Sequence, residues 1–447
     1  MAGVALLPRL YVAFRYAPAP VWDGYYYQIG AESIAHGAGY VGHNGKPWCH
    51  YPVGYSAFLG AVYAVLGTTN PVVGKVAGAI VGSLLAVLTY ALARRATTDR
   101  RASAAGLTVA LYPGLVAYAP LHMAEPLAAT LVVAAVWCAV RAAGDRRHAM
   151  AAGILFGLAT LVRPQSILLA PVAGWPLQAG DTSWRTRIGT GLVTTAIALA
   201  TVLPWSVRNC RVMDDCSFVS TNGGWNLAIG SFPRATGRFE TLRSGDGCHI
   251  VTGQVQQDRC WARLGVGWIR ADPWRWVHLI DEKLGFTFDH ESFPIGYLDR
   301  AEPERFTEAE RARGRGILSQ FHRLLLLLAT LAVFPAPRRS RPLTLLLPTA
   351  FLLYGWYAAW TWPHTFWPLT LLMVAVGVGR WRALTAPVRW GVIVTGSLVV
   401  IHAVFFGEDR YHLIATPFWA LMAASWGAPS VPASPREETT REEAAVA

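Results

Sequence analysis

Charge is missing from this chain over stretches long enough to cross a bilayer. Between Val72 and Ala93 the only charged residue is Lys75, near one end. Ile188–Trp205, Leu324–Phe334 and Trp390–Phe406 carry none. A helical span needs roughly 20 apolar residues, and a charge at mid-bilayer costs on the order of a few kcal/mol, so this spacing of charge decides the class. Composition agrees: of 447 residues 53% are hydrophobic and 15% charged, against about 25% charged in soluble domains. The chain is expected to be an all-α polytopic membrane protein of about 11 to 13 transmembrane helices.

The net charge of +12 would suit nucleic acid only if a soluble fold presented a basic face. The arginines fall instead in short breaks between apolar runs: Arg94, Arg95, Arg100 and Arg101; Arg141, Arg146 and Arg147; Arg185 and Arg187; Arg338, Arg339 and Arg341; Arg380, Arg382 and Arg389. That is the positive-inside pattern, and it excludes nucleic acid as a partner. With these clusters on the cytoplasmic side the spans alternate consistently. They are Val72–Ala93, Ala104–Pro120 and Glu125–Val140, a hairpin of Ala151–Val162 and Ser166–Trp175, then Ile188–Trp205, Phe321–Pro335, Leu343–Ala359, Phe366–Val378, Trp390–Phe406 and His412–Trp426.

Val4–Ala19 is apolar but interrupted by Arg9 and Arg15; it reads either as a first helix of the bundle or as the mark of a start site placed too far downstream. The start lacks the features of a cleavable signal peptide. Residues 1–426 form one transmembrane domain with two external segments, 21–70 and 206–320, the second long and aromatic enough to fold as a cap. Tyr55–Leu66 is expected to lie along the surface, and residues 427–447 are expected to be a disordered cytoplasmic tail. Cys49, Cys210, Cys216, Cys248 and Cys260 all fall in the external segments. Cys210 with Cys216 and Cys248 with Cys260 would close short loops in an oxidising compartment, or remain free thiols.

Several polar residues on that outer side need an explanation. Asp23 stands among Trp22, Tyr25, Tyr26 and Tyr27 just outside the first apolar run, either as a surface acid near an aromatic belt or as a placed carboxylate. His50 is a polar loop residue or a ligand to a metal or phosphate. Glu125 opens an apolar run with Pro126 behind it, where the helix dipole alone would favour a carboxylate. Arg163, between the two limbs of the hairpin, is expensive beside hydrocarbon unless it snorkels, is paired, or meets an anion. Arg410 and His412 crowd the outer end of a span, as a charged hairpin or as donors to phosphate. Carboxylates and a histidine can bind a divalent cation or act as a base, and arginines can hold a phosphate.

Seven stretches in order carry a resemblance. They are Asp23 through Gly37-Ala38-Gly39-Tyr40; Tyr51-Pro52-Val53-Gly54-Tyr55; Ala124-Glu125-Pro126-Leu127; and Gly157 through Arg163-Pro164-Gln165. Then follow Pro204-Trp205-Ser206-Val207-Arg208-Asn209, Ser220 through Asn222-Gly223-Gly224-Trp225-Asn226 to Gly230, and Arg410-Tyr411-His412-Leu413. With these the chain resembles the GT-C glycosyltransferases, specifically bacterial relatives of dolichyl-phosphate-mannose protein mannosyltransferase and of the lipid A aminoarabinose transferase.

The resemblance implies a GT-C bundle in a bacterial inner membrane, its active site facing the periplasm or exterior. It implies transfer of a sugar from a polyprenyl-phosphate-linked donor to a lipid, glycan or protein acceptor, usually with inversion. Asp23 matches the family's first catalytic acid and Glu125 its second. Tyr51, Arg163, Asn226, Arg410 and His412 match positions for the donor phosphate or the site wall. His50 lies just before a position where some relatives hold a metal, so a divalent ion would sit on His50 with Asp23 or Glu125. The chain departs from the pattern in one place: many relatives carry an acidic pair in the first loop, whereas Asp23 is followed by Gly24. The rival reading is a transporter or flippase of a lipid-linked saccharide, which would favour charges and broken helices at mid-bilayer and an internal repeat.

Overall fold

The computed structural model describes residues 1–16, 18–142, 145–177, 183–248, 253–336, 343–361 and 365–427. Within them the chain is all-α, with two isolated bridges, Val41 to Pro47 and Arg238 to Gly407. The helices are α1 Ala2–Arg15, α2 Asp23–Ala35, α3 Val53–Leu66, α4 Pro71–Ala93, α5 Asp99–Leu111 and α6 Pro113–Ala117. Next come α7 Glu125–Arg141, α8 Arg146–Val162, α9 Trp184–Val212, α10 Gly223–Ile229, α11 Gln254–Ala271 and α12 Pro273–Phe288. The last six are α13 Phe293–Ala301, α14 Glu308–Leu331, α15 Leu343–Thr361, α16 Trp367–Gly379, α17 Ala386–Val404 and α18 Thr416–Ser425. The tail expected after Gly427 lies outside the described residues.

Among the described residues, three helices are long and apolar enough to cross a membrane: α4, α9 and α17. The count is below the expected 11 to 13 because several apolar runs are not single helices. The run Ala104–Pro120 breaks between α5 and α6, since Pro113 forces Tyr112 into an extended conformation (φ −59°, ψ 118°). The second limb of the expected hairpin is a 3₁₀ turn, Pro164–Leu169. The last run begins as a 3₁₀ turn, Asp409–Ile414, before α18. Elsewhere α14 opens with polar turns, its start fixed by a capping box between Thr307 and Glu310.

The Pro113 break also explains Arg9. Pro113 has no N–H to offer, so the carbonyls at the end of α5 lack their helical donors. Arg9, fully buried on α1, supplies them: its guanidinium donates to the carbonyls of Ala110 (2.6 Å) and Val109 (3.0 Å). An arginine in an apolar helix is tolerated when backbone acceptors satisfy it, so α1 packs as the first helix of the bundle against α4 and α5.

α7 runs through the centre, between α4, α8 and the Asp409–Ile414 turn. Its buried face is largely small: Ala128, Ala129, Ala135 and Ala139. α8 meets α9 at two glycines one turn apart. A Cβ on Gly153 would lie 2.8 Å from the carbonyl oxygen of Thr194, and one on Gly157 2.8 Å from that of Ala198. The two backbones are in contact, which is the use of small residues at four-residue spacing in apolar helix pairs.

The long segment after α9 folds as a cap of α10 to α13. Its small core joins Ile229, Phe232, Leu242 and Trp261 to Phe406 and Tyr411 from beyond α17. Both cysteine pairs are bonded, Cys210 to Cys216 and Cys248 to Cys260, while Cys49 and Cys138 are buried free thiols.

Replacing Gly157 by leucine is expected to force α8 off α9 and destabilise the protein by about 1–3 kcal/mol. Thermal unfolding in detergent would read this as a lower midpoint; an unchanged midpoint would mean that the helices part without cost.

Candidate active site

Asp23 opens α2, where the helix N-terminus favours a carboxylate. It is turned into place by Trp22, whose φ of 49° lies where non-glycine residues are uncommon. Two rings hold that conformation: Trp22 packs edge-on to Tyr297 (5.9 Å between centroids) and against Phe293 (5.6 Å). On the other side of Asp23, a Cβ on Gly24 would lie 2.3 Å from the Tyr297 hydroxyl and 3.0 Å from the His122 carbonyl oxygen. The missing second acid of the first loop thus has a steric reason, because this packing leaves no room for a side chain at 24.

Three other elements deliver charge to Asp23. Arg410, in the Asp409–Ile414 turn, places Nη1 2.5 Å from Asp23 Oδ2 and Nε 2.5 Å from Glu408 Oε2. Its Nε also lies 3.7 Å from Glu125 Oε1. Glu125, fully buried at the start of α7, pairs with Arg163 at the end of α8. The Tyr51 hydroxyl donates to Asp23 Oδ1 at 3.1 Å. Asp23, Tyr51, Glu125, Arg163 and Arg410, far apart in sequence, therefore form one network, and Glu408 joins it. The network holds three carboxyl groups and two guanidiniums.

Burial pushes the Asp23 carboxyl upward, but the charges of Arg410 and Arg163 and the bonds from Arg410 and Tyr51 outweigh it, holding it below the usual carboxylate range. For Glu408 burial prevails over Arg410, and its carboxyl is pushed up to about 7. Burial, followed by the charge of Asp23, raises the Tyr51 phenol far above its ordinary value, so it stays a proton donor.

Asp23, Tyr51, Glu408 and Arg410 line a cavity of about 650 Å³. Its lining includes the aromatic Trp22, Tyr26, Phe286 and Phe293 and the basic Arg238, Arg315 and His290, with Arg238 over the Phe286 ring. Glu125 and Arg163 sit behind this surface.

The remaining residues singled out in the sequence are not in the lining of this cavity. His50 rests edge-on against Tyr51 (5.0 Å) and Trp225 (6.3 Å), and among the described residues no ion pair joins it to Asp23 or Glu125. Burial lowers the pKa of its imidazole. The nearby charge of Asp23 opposes that lowering. Asn226 is half-buried on α10, away from the cavity lining. His412 is fully buried and faces a different group, Glu291 and His322, whose ligand atoms lie within 4.8 Å of one another and form a potential metal-coordinating cluster. Sequence reasoning missed Glu291 and His322, and gave no role to Glu408 in the charged crowd around Arg410. For His322 a signal existed, a histidine heading the apolar run Leu324–Phe334.

Residues 50–207, about a third of the chain, match the family model of dolichyl-phosphate-mannose-protein mannosyltransferase. The family resembled in sequence is thus the one whose model matches. Among curated proteins none matches. Among solved structures, an oligosaccharyltransferase of Archaeoglobus fulgidus tethered to an acceptor peptide aligns at 13% identity over 94% of this chain and 48% of its own, with a TM-score of 0.47. ArnT of Cupriavidus metallidurans, bound to undecaprenyl phosphate, aligns at 16% identity over 95% of this chain and 76% of its own, with a TM-score of 0.39. At such scores the likeness does not establish a shared fold. The chain spans about half the length of the archaeal enzyme.

Replacing Arg410 by methionine leaves Asp23 and Glu408 facing each other without a cation, an expected loss of about 3–5 kcal/mol. A large drop in unfolding temperature should follow, with a smaller one for Arg410→Lys, which keeps the charge but not the fork. Equal midpoints for parent and Arg410→Met would show that the ion network contributes no net stability.

Proposed function

We propose that this chain is a glycosyltransferase that moves a sugar from a polyprenyl-phosphate-linked donor to an acceptor at the outer face of a bacterial cell membrane. The observation that carries the reading is Asp23 at the lip of the 650 Å³ cavity, ionised and aimed by Arg410 and Tyr51. The match of residues 50–207 to a family acting on a polyprenyl-phosphate sugar supports it. We read the bundle as of the GT-C type, its broken apolar runs crossing or re-entering the membrane, with the cap and residues 21–70 outside.

In this reading the acceptor's nucleophilic O–H or N–H enters along the aromatic lining and hydrogen-bonds to Asp23. A carboxylate held below its usual range is a weak base, so its main work is to orient the nucleophile and to stabilise the positive charge that develops on it. The nucleophile attacks C1 of the sugar as the C1–O bond breaks. The bond's electron pair leaves with the polyprenyl phosphate, and the nucleophile's proton passes by way of Asp23 to water. Attack from the face opposite the leaving group inverts C1. Arg238 and Arg315, which also line the cavity, meet the phosphate. Glu125 is a positioning residue: it is not in the lining of this cavity and acts by holding Arg163 and Arg410.

The test is sugar release from a panel of polyprenyl-phosphate sugars by the purified protein in detergent. Asp23→Asn is expected to reduce turnover by about 100-fold or more, with near-parental unfolding temperature. Tyr51→Phe, which removes one bond to Asp23, should cost about tenfold, the effect of roughly one hydrogen bond. Arg238→Ala should raise KM for the donor more than it lowers kcat. Parental turnover in Asp23→Asn would sink the assignment; a protein that moves the lipid saccharide across vesicles without releasing sugar would be a transporter.

A further inference from the structure

We propose that Glu291, His322 and His412 form a buried site for one divalent transition-metal cation of the zinc type, which clamps the turn that carries Arg410. The site is separate from the Asp23 network, and the inference does not depend on the sugar-transfer reading.

Hydrogen bonding fixes the state of both imidazoles. His322 Nε2 lies 2.6 Å from the Phe288 carbonyl oxygen, and His412 Nδ1 lies 2.8 Å from that of Thr287. A carbonyl only accepts, so each of these nitrogens carries its ring's proton. The other nitrogens, His322 Nδ1 and His412 Nε2, are left as bare lone pairs with no hydrogen-bond partner. Glu291 Oε2 stands 3.8 Å from His412 Nε2 and accepts the Tyr112 hydroxyl at 2.6 Å. All three side chains are fully buried. Two lone pairs and a carboxylate thus converge in a space closed to water, and acceptors gathered this way need a cation among them.

The surroundings are those of a metal site. Each histidine's far nitrogen is tied to a backbone carbonyl, which fixes ring orientation and tautomer as outer partners of metal ligands do. Two imidazole nitrogens and one carboxylate oxygen suit zinc and its neighbours, whereas magnesium and calcium prefer oxygen alone. A carboxylate and two neutral histidines leave one net positive charge with a divalent ion.

The ligands come from three segments that meet under the cavity. Glu291 precedes Ser292 and Phe293, whose backbone N–H groups both donate to Asp409, the Phe293 bond at 2.9 Å. His322 belongs to α14. His412 shares the Asp409–Ile414 turn with Arg410. A cation here cross-links that turn to α14 and to the start of α13, so it acts on Arg410 through position.

The test uses the full-length protein in detergent, stripped with a chelator, re-equilibrated with zinc and dialysed, with bound metal measured by mass spectrometry. One zinc per chain is expected in the parent and in Asp23→Asn, and at least tenfold less in His322→Gln and Glu291→Gln. Zinc should raise the parent's unfolding temperature, magnesium should not, and His322→Gln should not respond to zinc. Should the variants fail to fold, cobalt(II) added to the stripped parent decides: the intense visible bands of a low-coordinate nitrogen and oxygen site support the assignment. Zinc retention no higher than in His322→Gln, or a parent with no cobalt bands and no thermal response to zinc, overturns it and leaves a shared proton as what joins the three side chains.

Discussion

A guanidinium buried between carboxylates organises this molecule. Arg410 is pinned by Asp23 and Glu408 and reaches Glu125, so it gathers the first residue of α2, the first of α7 and the turn before α18 at one point. None of these groups would be tolerable there alone, since an unpaired buried charge costs several kcal/mol. The same requirement fixes Arg163 on Glu125 and, through it, the end of α8. Four elements thus share one electrostatic condition, and the cavity opens where they leave Asp23 in reach. The aromatic rings beside it, Trp22 and Phe293, hold the backbone that aims the carboxylate.

Other buried charges in the bundle follow another rule. Arg9 completes the end of α5 that Pro113 interrupts, Lys75 donates to the Pro18 carbonyl at 2.7 Å, and Asp289 accepts the first N–H groups of α16, from Phe366 (2.8 Å) and Trp367 (2.6 Å). Each serves a backbone end rather than a partner charge. Breaks in apolar helices expose such ends, and in a medium without water a side chain must satisfy them. Charges that satisfy backbone are structural, whereas charges that meet only each other beside a cavity are candidates for chemistry.

How much of this was legible in the sequence depends on the range of the interaction. Helix cores could be placed from uncharged runs, because burial in lipid acts on every residue of a span. Where runs break was harder: Pro113 is visible as a letter, but nothing local says that Tyr112 ends α5 instead of kinking a longer helix. Asp23, Glu125, Arg163 and Arg410 could be picked out because charged groups at apolar rims need a reason, Tyr51 only through the resemblance, and the structure brings these five together. His50 and His412 look equivalent in sequence to the others, yet one lies against rings and the other in a closed cluster. Glu291 and His322 carry no spacing signal, since their convergence is set by how α14 packs on the turn before α18.

The cap's core has one further consequence. Two of its rings, Phe406 and Tyr411, come from the strand of chain that also holds Arg410, and Arg163 lies over the Tyr411 ring at 5.4 Å. The cap is therefore not a detachable module. A cap transplanted from another chain would have to fit these two rings, so the cap and the turn that carries Arg410 are bound to change together in descent, and chimeras that join one protein's cap to another's bundle must carry the segment around residues 405–411 with it.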